Sequence, residues 1–92
     1  MIKSFRCSET EKVFQRKRSR KFGSLQRIAL RKLLVLDASD SLKDLRIPPS
    51  NRLEKLSGDR RGQHSVRVNE QWRICFRWKN GDAYDVEIVD YH

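Results

Sequence analysis

In the second half of the chain, apolar residues fall at every other position. Trp72, Ile74, Phe76 and Trp78 alternate with Arg73, Cys75 and Arg77, the period of a strand with one dry face and one cationic face. Asn80-Gly81 follows, a pair that marks a hairpin because tight hairpin turns need residues that accept positive φ. On the return, Tyr84, Val86 and Ile88 again share a face. The two apolar faces coincide only if the loop holds an odd number of residues, since a slip of one reverses every side chain. A three-residue Lys79-Asn80-Gly81 loop with Gly81 left-handed meets that condition and sets Arg73 across from Glu87. Upstream, His64, Val66 and Val68 alternate with Ser65 and Arg67, and Asn69-Glu70 turns the chain into the Trp72 strand. Arg52 to Leu56 reads as a short, irregular strand, because Leu53 and Leu56 do not share a strand face.

The first half has the helical period. Leu25, Ile28, Ala29, Leu33 and Leu36 form one stripe, widened by Leu34 and Val35, with Ser24 as N-cap and the helix spanning Leu25 to Ala38. Before it, Ile2 to Arg6 predicts a short first strand, and Ser8-Glu9-Thr10-Glu11 matches a capping box that starts a helix carrying Val13 and Phe14 inward. Leu42 to Leu45 predicts one helical turn, which Pro48-Pro49 prevents from continuing. Strand, two helices, then three or four strands on short loops predict an α+β fold. In it, the helices cover one face of an antiparallel meander and the arginines occupy the open face.

Composition adds an electrostatic preference. Of 92 residues, 36% are charged and the formal net charge is +9, which favours a polyanionic partner without dictating a fold. Residues 1–92 are expected to form a single domain. Arg16 to Lys21 holds five cations in six residues; their repulsion predicts a mobile loop that is either simply solvated or a nucleic-acid contact. No apolar run has the length of a membrane span, and Met1 to Phe5 lacks a signal-peptide core, so a cytoplasmic protein with no membrane partner is expected. Cys7 and Cys75 suit two reduced thiols. Two histidines with two distant cysteines make no recognisable metal site, and no cofactor is expected.

Three stretches occur together: Asn51-Arg52-Leu53-Glu54-Lys55-Leu56-Ser57-Gly58-Asp59-Arg60-Arg61-Gly62 leading to Ser65-Val66-Arg67-Val68, then Gln71-Trp72-Arg73-Ile74-Cys75-Phe76, then Val86-Glu87-Ile88-Val89-Asp90-Tyr91-His92. Together they closely resemble the HigB-type toxins of bacterial toxin–antitoxin systems, within the RelE/ParE superfamily. The resemblance covers nearly the whole chain and implies a microbial RelE-like fold. It implies a ribosome-dependent endoribonuclease, an mRNA interferase that cuts mRNA in the A site and inhibits translation. It also implies a helix-turn-helix antitoxin of HigA type, through which alone the toxin meets operator DNA. Asp90, Tyr91 and His92 match the family's catalytic C-terminus, and Arg73 its strand arginine. Glu54 stands where some relatives carry a further catalytic histidine, and Ser57 where they carry a lysine.

The chemistry of these residues fits such a reaction. RNA is cut without a metal when its own 2′-hydroxyl attacks the adjacent phosphate, given a base, an acid and cations around the phosphorane. An imidazole with an ordinary pKa near ~6.5 makes His92 the first candidate for proton transfer. Asp90 either orients that imidazole or itself acts as base. Tyr91 either stacks on a base or donates a proton. Arg73 offers a planar fork that matches phosphate oxygens. Lys55, Arg60, Arg61, Arg67 and Arg77 are the candidate RNA contacts. Each has a plainer alternative: a frayed C-terminus, an Arg73–Glu87 cross-strand pair, solvated sheet charges, and Trp72, Phe76 and Trp78 as core. Two other readings compete: a topoisomerase poison of ParE type, which needs no general acid, and a non-catalytic RNA-binding module, for which net charge suffices.

Overall fold

Asn80 and Gly81 both lie in the left-handed region, at φ 52° and 82°, and close a two-residue hairpin rather than the expected three-residue loop. They join β3 (Trp72–Lys79) to β4 (Asp82–Asp90), with Lys79 opposite Asp82 and Arg77 opposite Tyr84. That even loop puts Tyr84 on the arginine face, contrary to the alternation expected for it. Parity is restored inside the strand. Asp85 and Val86 together face Phe76, a bulge with Asp85 at φ 53°, after which Ile88 pairs with Ile74 on the apolar face. The bulge also moves Arg73 opposite Val89 and Glu87 opposite Cys75, so the expected Arg73–Glu87 pairing does not form.

The computed structural model describes residues 1–90. β1 (Glu54–Lys55), β2 (His64–Arg67), β3 and β4 form an antiparallel sheet in chain order, the predicted meander. β1 has only two residues, shorter than the strand expected over Arg52 to Leu56. The N-terminal segment runs parallel to β4 through bridges at Ile2–Ala83 and Phe5–Val86 rather than as a full strand. Ser4 Oγ accepts from Asp85 N at 2.9 Å and the Ser4 carbonyl from Val86 N at 3.1 Å. The bulge's backbone donors are thus satisfied, and the β4 edge is covered.

α1 (Ser8–Phe14) and α2 (Leu25–Ala38) lie on the apolar face. α2 has the predicted bounds. The cap of α1 differs from the expected box: Cys7 is the N-cap residue and its carbonyl accepts from Glu11 N, while Ser8 makes no capping bond. Thr10 of α1 is fully buried, and its hydroxyl accepts from Ile88 N at 3.0 Å, tying the helix to β4. Ile74, Phe76, Val66, Val86 and Ile88 meet Val13, Ala29, Leu33 and Leu36 in one core. Trp72 and Trp78 only flank it, Trp72 edge-on to Phe22. The sheet takes a narrower stripe of α2 than predicted, leaving Ile28, Leu34 and Val35 exposed. A 3-10 turn at Leu42–Arg46 replaces the predicted helical turn, and others follow at Pro49–Asn51 and Gly58–Arg60.

The basic connection between α1 and α2 is anchored, against the expectation of a mobile loop. Ser19 is buried; its amide donates to Gln26 Oε1 and its hydroxyl to Glu9 Oε1, each at 2.9 Å. One small polar residue amid the cations gives the segment a foothold, and Arg16, Lys17, Arg18, Arg20 and Lys21 project outward.

Candidate active site

Arg73 is a middle residue of its sheet row, between Arg67 on β2 and Val89 on β4. An arginine there would face solvent if the sheet's second face were open. The chain from Arg52 to Gly62 instead folds across that face, where Leu56 is buried and Leu56 N donates to the Gln63 carbonyl. Arg73 is only 9% exposed as a result, so of the two arginines expected on an open face only Arg77 is there. The buried guanidinium is held at defined points: Nε donates to Ser65 Oγ at 2.7 Å, and Nη2 to the carbonyls of Arg52 and, at 3.4 Å, Ser65. Glu54 Oε2 stands 3.9 Å from Nη2. Among the described residues none is hydrogen-bonded to Nη1, which leaves one edge of the fork for a ligand.

Arg73 is part of the lining of a cleft of about 360 Å³, with Arg52, Glu54, Arg67, Asn69 and Glu70. Arg67 is steadied by donating from Nε to the Asn69 carbonyl at 3.1 Å. Asn69 Oδ1 accepts from the amides of Gln71 and Trp72, both at 2.8 Å, which fixes the β2–β3 turn at the cleft wall. Three guanidinium groups against two carboxylates suit a phosphate with room for a base beside it. Sequence reasoning gave Arg73 and Arg67 to this place but missed Ser65, Asn69 and Glu70. Ser65 was legible in principle, since the alternation of β2 puts it on the Arg73 face.

Other candidates lie elsewhere. Asp90 ends β4 opposite Trp72, at the same end of the sheet as the cleft, and Gln71 Nε2 donates to its Oδ2 at 2.9 Å. Strand alternation directs Asp90 to the Trp72 side rather than the Arg73 side, so β4 alone does not bring the two together. Tyr91 and His92 lie outside the described residues. Lys55 pairs with His64, on the face away from the cleft. Arg60 is half-buried and donates to Glu87 Oε1 at 2.8 Å and Gln63 Oε1 at 3.2 Å, holding the Arg52–Gly62 segment down over Cys75. Arg61 is exposed beside it, and Arg77 is exposed with Nε 3.5 Å from Asp85 Oδ2.

His64 packs against Phe76, ring centroids 6.0 Å apart, and burial, helped by Lys55, pushes its imidazole below the usual range. The folded protein then resists protonation that the unfolded chain accepts below about pH 6.5, so stability is lost as pH falls through that region. The denaturation midpoint is expected to drop between pH ~7 and ~5, and His64→Gln to flatten that drop; equal pH dependence in both would remove His64 as the cause.

The chain has relatives among known proteins. The family profile described as "RelE-like toxin of type II toxin-antitoxin system HigB" matches residues 3–92. The chain is 48% identical over 66 residues to Toxin HigB-1 of Vibrio cholerae, covering 72% of this chain and 70% of that one. It is 49% identical over 41 residues to Endoribonuclease HigB of Proteus vulgaris, 45% of each chain. In fold it is similar to the crystal structure of YafQ from E. coli, with a TM-score of 0.62 at 12% identity, over 98% of this chain and 91% of that one.

Proposed function

The chain belongs to the RelE-like HigB toxins of type II toxin–antitoxin systems, and from that membership we propose that it is an endoribonuclease cutting mRNA in the ribosomal A site. The carrying observation is the clamped guanidinium of Arg73, buried, braced by Ser65 and the Arg52 carbonyl, and part of the cleft's lining. A planar cation held in place before substrate arrives stabilises charge on a phosphorane at little reorganisation cost.

The reaction is transesterification. The 2′-hydroxyl gives up its proton and its oxygen bonds to phosphorus; the P–O5′ bond breaks, leaving a 2′,3′-cyclic phosphate, and the 5′-oxygen takes a proton. Arg73 and Arg67 hold the non-bridging oxygens. Glu54, the cleft carboxylate that stands 3.9 Å from Arg73 Nη2, serves as base. His92 supplies the leaving-group proton, with Asp90 orienting it and Tyr91 stacking on a flanking base. The protein works in the cytoplasm; among the described residues no helix is long and apolar enough to cross a membrane. Membership of a type II system gives it an antitoxin partner; a HigA-type helix-turn-helix protein fits that role and would carry the toxin to operator DNA.

Mapping mRNA 5′ ends after incubation with programmed ribosomes tests the reading. New ends that require the ribosome are expected, and binding without new ends would overturn it. Glu54→Gln separates base from bystander. It removes a carboxylate beside the phosphate site, so RNA should bind a few-fold tighter, yet single-turnover cleavage should slow by roughly 10²-fold or more. Tighter binding with unchanged cleavage would show that Glu54 only repels.

A further inference from the structure

The same face of the sheet carries a second concavity, of about 500 Å³, lined by Ser4, Gly62, Arg77, Trp78, Lys79, Tyr84 and Asp85. Its composition differs from the first: two cations and one carboxylate with a tyrosine and a tryptophan. We propose that this pocket is a subsite for single-stranded RNA, where one base stacks on Tyr84 and its phosphate meets Arg77 and Lys79. The inference rests on the ribonuclease reading above and names a further contact for the same strand.

Three features argue that the pocket is built for a ligand. First, Arg77 is positioned by its surroundings: Nε lies 3.5 Å from Asp85 Oδ2, and Nη1 occupies space that a Cβ at Gly62 would enter at 2.8 Å. Glycine at 62, at φ +89°, lets the guanidinium lie close against the backbone there. Second, the two-residue turn puts Tyr84 on the arginine face directly opposite Arg77, ahead of the bulge. A half-buried phenol beside a cation is a platform for a base, stacking being tolerant of sequence. Third, the pocket and the cleft share strand β3, Arg73 lining one and Arg77 the other. Arg73 and Arg77 are four residues apart on one strand and one face, about 13 Å at the usual rise, roughly four nucleotides of stacked strand. Arg60 and Arg61 lie along the Arg52–Gly62 segment between them.

Asp85 sharpens the choice of ligand. Its carboxylate opposes a bare polyphosphate, but it accepts a hydrogen bond from an exocyclic amine of a base. An acidic peptide would meet the same repulsion without the stacking gain.

The test uses the full chain and 2′-O-methyl RNA, which cannot undergo 2′-oxygen attack, so binding is read without cleavage. On titration with a hexanucleotide, backbone amide signals of Gly62, Tyr84 and Asp85 are expected to shift together with those of Arg67 and Asn69. A dinucleotide should shift only the cleft residues. Arg77→Gln with Tyr84→Leu should weaken the hexanucleotide about tenfold and leave dinucleotide shifts unchanged, with the denaturation midpoint checked so that misfolding is recognised. Hexanucleotide shifts confined to the cleft, unaltered affinity in the double variant, or preferential binding of an acidic peptide at Tyr84 would each overturn the subsite. Ribosome-dependent cleavage is scored separately: its absence from the parent protein sinks the ribonuclease reading whatever the pocket binds, whereas cleavage with no hexanucleotide contact at Tyr84 sinks only the subsite.

Discussion

Phe76→Ala is expected to cost about 3–5 kcal/mol of stability, the largest loss from any single truncation in the sheet. Phe76 has no solvent exposure and is the largest fully buried side chain among the described residues. It stacks with His64 on one side and meets Trp78 edge-on at 6.2 Å on the other. It also sits opposite the Asp85–Val86 bulge, where the backbone is already held in a left-handed conformation and has little freedom to close over a cavity. Chemical denaturation should show the midpoint falling with an unchanged slope, and Phe76→Leu should recover part of the loss. A midpoint indistinguishable from the parent's would mean that the α2–sheet interface does not rest on this ring.

How much of this was written in the sequence depends on the range of the interaction. The alternation Trp72 to Trp78 and the stripe Leu25 to Leu36 are local, and both elements formed where the pattern placed them. The hairpin was legible as a hairpin, but its register was not. Matching the two apolar faces required one extra residue somewhere, which the pattern assigned to the loop and the fold places in a bulge within β4. The bulge won because Asn80-Gly81 suits a two-residue turn and because Ser4, some eighty positions away in the chain, satisfies the bulge's donors at Asp85 and Val86. No local pattern records that contact. The covering of Arg73 was hidden for a similar reason. Residues 52 to 62 are rich in charge and turn formers and read as a short irregular strand running into a turn, with nothing to lay them across the sheet. Leu56 pins that segment to the sheet, and Arg60 pairs with Glu87 across 27 positions. Arg73 was therefore identified by resemblance, and its clamp by Ser65 and the Arg52 carbonyl came only from the fold.

The largest functional loss is expected at the chain's C-terminal end. His92→Gln should reduce ribosome-dependent cleavage by roughly 10²–10⁴-fold, the usual worth of a positioned general acid, while ribosome and antitoxin binding persist. Glutamine keeps a polar side chain of similar reach but cannot exchange a proton near neutral pH. Asp90→Asn should lose activity to a lesser degree, because an amide still accepts the hydrogen bond that Gln71 now donates to the carboxylate but cannot hold an imidazolium. Arg73→Ala should be as damaging as His92→Gln for a different reason: it strips charge from the phosphorane and leaves Ser65 Oγ, buried in the sheet, without its partner. Arg73→Lys retains the charge but not the fork, so only part of the activity should return. Single-turnover cleavage on programmed ribosomes, measured beside a binding assay for each variant, separates these effects. If His92→Gln cuts at near the parent rate, the proton for the 5′-oxygen comes from elsewhere, and Tyr91 is the next residue to change. If all four variants bind poorly as well as cut poorly, these residues hold the RNA rather than react with it.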